Sequence, residues 1–310
     1  MIMRRVIVIG GPTAAGKTDT SLELANLIRC EIICADARQL YRGLDIGTAK
    51  PPAEDRERVR HHLFDILDPM QQITAADYAE QVHHAIDQMA PDVVPVLVGG
   101  SGLYISAAID GFSPAVTDVS SEIRRELQDE LETRGRDALY QELERVDPVA
   151  AKLYSDRNPR RVLRALEVHR STGRPISELW SVKPQSTRYD VLHVAIGCDR
   201  DELRQRIHRR SEEMWSRGLL GEVDHLLSSG VSRQAQSMQS VGYRDAADVL
   251  DGTTSIEMAK NRLETATWQY AKRQLTWFRR DLRYTWLEAD PKTNASAIRS
   301  LMLLRKWIDE

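Results

Sequence analysis

The stretch RRVIVIGGPTAAGKT, Arg4–Thr18, decides the fold class. An apolar run ends on Gly10-Gly11, and Gly11–Thr18 fits the spacing G-x-x-x-x-G-K-[ST]. In such a loop the backbone N–H groups and the N-terminus of the following helix form a cradle for phosphate. Gly11, Pro12, Thr13, Ala14, Ala15, Gly16, Lys17 and Thr18 are therefore the candidate diphosphate-binding residues. Lys17 would reach the terminal phosphates and the Thr18 hydroxyl would ligate Mg²⁺. The loop by itself does not choose between a nucleoside triphosphate and another diphosphate.

Outward from the loop, Lys17–Arg29 places Leu22, Leu24, Ala25, Leu27 and Ile28 at helical spacing. Glu31–Asp36 is a second short apolar run, closed by an acid. Thr74–Met89 has helical character, and Pro95–Gly100 is another buried strand leading to a glycine turn. Strands alternating with helices predict a parallel sheet covered on both faces. From about Ser113 to Lys183 strand character disappears. Ser121–Arg134, Arg136–Glu144, Pro148–Leu153, Asn158–Ser171 and a segment from Pro175 each have helical character instead. Tyr189–Gly197 returns to strand, and the chain after Asp199 has helical character nearly to its end. The expected organisation is an α/β core over 1–112 and 188–310, interrupted by an all-helical insertion over 113–187.

The bulk composition narrows the function classes. With 310 residues there is room for a core and a smaller second unit. The net charge of −3 excludes a polycation, so contact with nucleic acid must come from local patches. No stretch approaches the ~20 apolar residues of a membrane span. The N-terminus is basic then apolar, but its apolar run is too short for a signal peptide. Cys30, Cys34 and Cys198 form no metal or disulfide pattern, which suits a reducing cytoplasm.

Several residues are placed to do chemistry. Asp36 follows the second strand at the sheet edge where ligands of parallel α/β folds bind. It can serve as a general base, as a water-mediated Mg²⁺ ligand or as a turn cap. Gly99, Gly100 and Gly102 suit either close approach to a ligand or a tight turn. Arg157, Arg160, Arg161 and Arg164 lie together without an acid among them. On a helical wheel at 100° per residue, Trp268, Ala271, Leu275, Phe278 and Leu282 make one arc, expected to be core. Lys272, Arg273, Arg279, Arg280 and Arg283 make the next, and Tyr270, Trp277 and Tyr284 a third. A basic face beside an aromatic stripe suits an RNA backbone with unpaired bases, against the alternatives of a solvated face and a stripe that packs on another helix. Of Arg206, Arg209 and Arg210, one is in a position to reach a diphosphate. There is no N-K-x-D, no D-D-x-x-D and no kinase H-R-D set. A small-molecule kinase is one alternative that the loop and Asp36 leave open, and a non-catalytic RNA-binding module with a relict loop is another.

Longer blocks resemble the bacterial tRNA dimethylallyltransferase (tRNA isopentenyltransferase) family. They are GPTAAGKT, ADARQLYRGLDIGTAKP (Ala35–Pro51), HHLFD (His61–Asp65), VGGSGLY (Val98–Tyr104), NPRRVLRALEV (Asn158–Val168), RGLLGEV (Arg217–Val223), VGYRDA (Val241–Ala246) and YAKRQLTWFRRD (Tyr270–Asp281). The resemblance implies a P-loop NTPase-like core with a helical insertion that clamps the anticodon stem-loop and a helical C-terminal region. It implies that the loop holds dimethylallyl diphosphate, with Mg²⁺ as cofactor. The resemblance implies that the dimethylallyl group passes to the exocyclic amine of the adenosine 3′ of the anticodon, with a relative that prenylates free adenine nucleotides as the alternative. Asp36 matches the family's catalytic aspartate, and Thr18 and Arg210 take catalytic roles on the leaving diphosphate. Asp36, Ala37, Arg38, Gln39, Ser101, Arg124, Arg160, Arg161, Val162, Leu163 and Arg164 are implied tRNA contacts. Lys272, Arg273, Arg279 and Arg280 join them from the basic face. A cytoplasmic monomer without membrane contact is expected. Ala15, Ala37 and Gly221 depart from the family's common residues without removing a catalytic group, and the eukaryotic members' zinc finger has no cysteines here.

Overall fold

The computed structural model describes residues 3–111, 120–180, 188–288 and 290–308. In chain order the elements are β1 (Arg4–Gly10), α1 (Lys17–Ala25), β2 (Cys30–Cys34), α2 (Ala53–Arg58), β3 (His61–His62), α3 (Ala75–Gln88), β4 (Val94–Val98) and α4 (Gly102–Asp110). Then come α5 (Ser121–Val146), α6 (Pro148–Leu153), α7 (Pro159–Thr172) and α8 (Ile176–Leu179). The remainder is β5 (Tyr189–Ile196), α9 (Arg200–Ser216), α10 (Leu219–Ser228), α11 (Tyr243–Leu250), α12 (Ile256–Arg280), β6 (Thr285–Leu287) and α13 (Pro291–Leu304).

The strands form one parallel sheet in the order β3-β2-β4-β1-β5-β6. β1 is central, paired with β4 (Ile7↔Val96) and with β5 along its length, Arg4↔Tyr189 to Gly10↔Ala195. Burial on both faces explains why these strands are continuous apolar runs rather than alternating ones. On one face Ile7, Ile9, Val96, Leu192, Val194 and Ile196 pack with Leu24 of α1 and with Ala295, Ile298 and Met302 of α13. On the other, His83 of α3 meets the Tyr189 ring, and Phe278 of α12 meets Tyr284, which in turn meets His193 of β5. The mixed α/β class with helices on both faces is as the sequence predicts.

Two edge strands were not expected. β3 is two histidines and β6 three residues, too short for periodicity to register. They pair because β2 and β5 present open edges to them. β6 also corrects the helical wheel. α12 stops at Arg280, where the Asp281 carboxylate accepts the Arg283 N–H and turns the chain. Leu282, assigned to the core arc, is 95% exposed, while Ala271 and Phe278 of that arc are buried. Arg283 leaves the basic face and pairs with Asp281 at 2.7 Å. α1 likewise closes at Ala25 rather than Arg29.

The chain divides into two compact units, Met1–Ile109 with Arg188–Glu310, and Asp110–Thr187. The expected junctions at 112–113 and 187 lie outside the described residues. The described elements of the second unit are all helical. α5 runs through both predicted segments, kinked where Gly135 takes φ 77°. The unit has its own core, including Leu127, Leu139, Leu143, Val162 and Leu166. Asp147 knits it by accepting the N–H of Ala150 and of Ser177, each at 2.9 Å. Among the described residues no helix is long and apolar enough to cross a membrane.

Candidate active site

Parallel pairing brings the C-terminal ends of β1, β2, β4 and β5 to one edge, and the site is built there. The phosphate loop joins β1 to α1. A Cβ at Gly11, where φ is 130°, would collide with the Ile196 carbonyl. Gly16, at φ 93°, starts α1 so that its free N–H groups face the loop. The Lys17 ammonium folds back to donate to Pro12 O at 2.6 Å. Burial drives its pKa down to about 7; the Asp36 charge opposes that fall and Arg210 adds to it. Arg206 of α9 donates to Ala15 O at 3.3 Å.

Two cavities open at this edge. One, of about 690 Å³, is polar in lining and holds Lys17, Thr18, Asp19, Asp55, Arg206, Arg209 and Arg210. The other, of about 400 Å³, is lined by Thr13, Asp36, Ala37, Arg38, Tyr270 and Arg273, with Ile207, Val241 and Leu263 as its apolar wall. Arg210 and Met214 line both. Burial lowers the Arg210 pKa, and the Asp36 carboxylate opposes that shift. Arg210 thus stands between a polar, arginine-lined cavity and the cavity that holds Asp36.

Asp36 stands just beyond β2, whose end is held by the Tyr78 hydroxyl donating to Cys34 O at 2.8 Å. Its Oδ1 accepts the Arg38 N–H at 2.9 Å, leaving the other oxygen for a ligand. The Ala37 N–H donates to Ser101 Oγ at 3.0 Å, so Ser101 fixes the turn after the aspartate. Arg38 donates to Gln236 O, and the Gln39 amide donates to Thr48 O and Ala49 O. Gln39 is thereby a staple on the 48–49 loop.

The glycines of 99–102 serve the protein's own packing. A Cβ at Gly99 would strike the Ala35 carbonyl, at Gly100 the Gln274 amide, and at Gly102 the Trp277 indole. Gln274 of α12 accepts the Thr13 N–H at 2.8 Å and donates to Gly100 O at 3.0 Å. One buried amide therefore joins the phosphate loop, the glycine turn and the C-terminal helix.

The other predicted contacts separate. Lys272, Arg279 and Arg280 are exposed on α12, outside both cavities. Arg124, Arg160, Arg161, Val162, Leu163 and Arg164 belong to the helical unit. The arginine run, free of acids within itself, is partly paired by acids beside it and by one from α5, with Arg161 3.7 Å from Asp156. Arg157 pairs with Asp137 at 2.9 Å and Arg164 with Glu167 at 2.8 Å, while Arg124 meets the same Glu167 at 3.2 Å. Val162 is 2% exposed and Leu163 packs on the unit's core, so their side chains hold the helix rather than face a partner. Arg160 and Arg161 remain exposed. Thr48, Gln239, Ser240 and Val241 line the Asp36 cavity without having been singled out as site residues, and Tyr270 of the aromatic stripe joins them there. VGYRDA and DIGTAKP contain or adjoin most of them, but their residue types announce no chemistry.

Among the described residues no trio of His, Cys, Asp or Glu forms a protein-only metal cage. Mg²⁺ beside phosphates needs less, since it keeps waters and takes phosphate oxygens. Thr18, Asp19 and Asp55 line the polar cavity. Burial first and the Asp55 charge next raise the Asp19 pKa, a strain that a hard cation would relieve. These residues fit such an ion.

Residues 39–281 match the family model described as IPP transferase. The chain belongs to the IPP transferase family. This transferase is 43% identical over 288 residues to the tRNA dimethylallyltransferase of Geobacter metallireducens, covering 92% of each chain. It is 40% identical over 286 residues to that of Geobacter sulfurreducens, again covering 92% of each. Its fold is that of the full-length tRNA isopentenylpyrophosphate transferase from Bacillus halodurans, with TM-score 0.73, 36% identity and coverage of 98% and 97%. A eukaryotic dimethylallyltransferase acting on tRNA superposes with TM-score 0.82 at 26% identity, covering 98% of this chain and 80% of that one. The transferase core is P-loop NTPase-like. The family model begins after the phosphate loop, whereas the likeness to the Bacillus halodurans structure extends over 98% of the chain.

Proposed function

We propose that this chain is a tRNA dimethylallyltransferase: it moves a dimethylallyl group from its diphosphate to the exocyclic amine of the adenosine 3′ of the anticodon. The observation that carries the reading is the shared wall at Arg210 and Met214 between an anion cavity and the Asp36 cavity. The diphosphate lies on the loop N–H groups and Lys17, and the prenyl chain points past Met214. The target adenine leaves its stack to enter the second cavity.

An adenine amine is a weak nucleophile because its lone pair is delocalised into the ring. The reaction therefore depends on departure of the diphosphate. As the C1–O bond breaks, negative charge grows on the bridging oxygen and positive character on the allylic carbon. Lys17, Arg210 and the loop N–H groups are fixed where that negative charge develops. The amine nitrogen bonds to C1, and its proton passes to Asp36 as general base. Mg²⁺ held by Thr18 would supply further neutralisation of the diphosphate. The exposed basic residues of α12 and Arg160 and Arg161 of the helical unit contact the RNA backbone. We place the enzyme in the cytoplasm as a monomer. One chain's core supplies both cavities, and Cys30, Cys34 and Cys198 are unpaired thiols.

The test offers tRNA with prenyl-labelled dimethylallyl diphosphate, and in parallel with γ-labelled ATP. Label from the prenyl donor should enter tRNA and label from ATP should not. Labelling of free AMP but not tRNA, or phosphoryl transfer from ATP, overturns the proposal.

A further inference from the structure

The loop Asp45–Lys50 contributes Gly47 and Thr48 to the Asp36 cavity and Ile46, Ala49 and Lys50 to the anion cavity. Its far side is gripped by a single carboxylate. Glu222 of α10 accepts the N–H of Asp45 at 3.1 Å, of Ile46 at 2.7 Å and of Gly47 at 3.2 Å. The fully buried Tyr243 of α11 donates its hydroxyl to the same carboxylate at 2.5 Å. Three successive backbone N–H groups converging on one point make an anion nest, and here the anion is the protein's own. Gly47 also has no room for a Cβ, because the Tyr243 ring and Leu219 fill that space. Only Gly242 separates Tyr243 from Gln239, Ser240 and Val241, which line the Asp36 cavity. Glu222 therefore ties two walls of that cavity to each other, the 47–48 loop and the 239–241 segment, without touching either cavity itself.

We propose that Glu222 is a positioning residue for the acceptor: by clamping the 45–47 loop to Tyr243 it sets the width of the cavity in which the nucleobase meets Asp36. The proposal rests on the assignment of that cavity to the acceptor. The phosphate loop is held by other contacts, among them Gln274 and Arg206, and the anion side of the 45–50 loop has anchors of its own: Lys50 donates to Tyr41 O at 2.8 Å and to Asp65 at 2.5 Å, and Gln39 holds Ala49 O, so the anion cavity keeps its shape without the clamp.

The experiment compares wild type, Glu222→Ala, Glu222→Gln and Tyr243→Phe. It measures pyrophosphate affinity by calorimetry and single-turnover kcat/KM for an anticodon stem-loop at saturating donor. Glu222→Ala should lower acceptor kcat/KM by about 10–100-fold, the scale of a small misplacement at a reacting centre. Pyrophosphate affinity should be unchanged. Glu222→Gln keeps the shape but one acceptor oxygen fewer, and should fall between Ala and wild type. Tyr243→Phe keeps the three backbone bonds and should cost least. Parallel loss of pyrophosphate affinity would mean general loosening of the fold and overturn the proposal, as would unchanged acceptor kinetics in Glu222→Ala. A wild-type enzyme that moves no prenyl group to RNA would instead overturn the functional assignment, which separates the two failures.

Discussion

The side-chain amide of Gln274 accepts the backbone N–H of Thr13 at 2.8 Å, across 261 residues of chain. The same amide donates to Gly100 O, so α12 and the phosphate loop share one buried polar contact. Replacing Gln274 by Ala leaves a buried N–H and a buried carbonyl without their partner. The expected loss is roughly 1–3 kcal/mol of stability. Denaturant unfolding measures it, and calorimetry should show weaker pyrophosphate binding because Thr13 is no longer held. Unchanged stability would show that water replaces the amide freely.

Asp36→Asn keeps an oxygen for the Arg38 N–H and removes the base. Single-turnover transfer should fall by about 10²–10⁴-fold, the range for a general base. Affinity for the anticodon stem-loop should stay near wild type. A near-wild-type chemical step would remove Asp36 from proton transfer and leave it the role of a turn cap.

Lys17 predicts a pH dependence whose sign follows from burial. Its folded pKa is lowered from 10.5 to about 7, so between those values the unfolded chain binds the additional proton. This group alone makes stability rise with pH across that window. A bound diphosphate restores the charge, so binding takes up a proton and weakens as pH rises above about 7. Calorimetry at about pH 8.5 in two buffers of different ionisation enthalpy should show proton uptake in wild type beyond that in Lys17→Met. Equal uptake in both would assign the proton to the ligand.

Arg279 and Arg280 are exposed at the end of α12. The double alanine variant should weaken tRNA binding at low salt. It should also flatten the slope of log affinity against log salt by about 0.7–0.9 for each phosphate that is no longer neutralised. Pyrophosphate binding should not change. An unaltered slope would make this an ordinary solvated face.

The strand–loop–helix at Arg4–Ala25 was legible because its signals are local. An apolar run reports a buried strand, and glycines report a backbone that other residues cannot follow. β4 and β5 were legible for the same reason, and the helices from Ser121 onward through loss of that pattern. β3 and β6 were not, since strands this short exist only because a neighbour offers an open edge. The end of α12 was missed because the wheel assumes the helix continues. A single aspartate turn at Asp281 stops it and sends Leu282 to solvent.

The residue string alone indicated the sheet type and the phosphate loop, and it bounded what the side chains of Lys17, Thr18 and Asp36 are able to do. Those follow from side-chain identity and from backbone sterics over a few residues. Only the folded chain decided that Arg210 of α9 stands between the two cavities and that Gln274 and Glu222 hold the loops around them. It also decided that Arg157 of the arginine run meets Asp137 of α5, and that the glycines at 99–102 make room for protein rather than ligand. Charge, burial and close approach act through space at a few ångströms, and their partners here lie up to hundreds of residues apart along the chain.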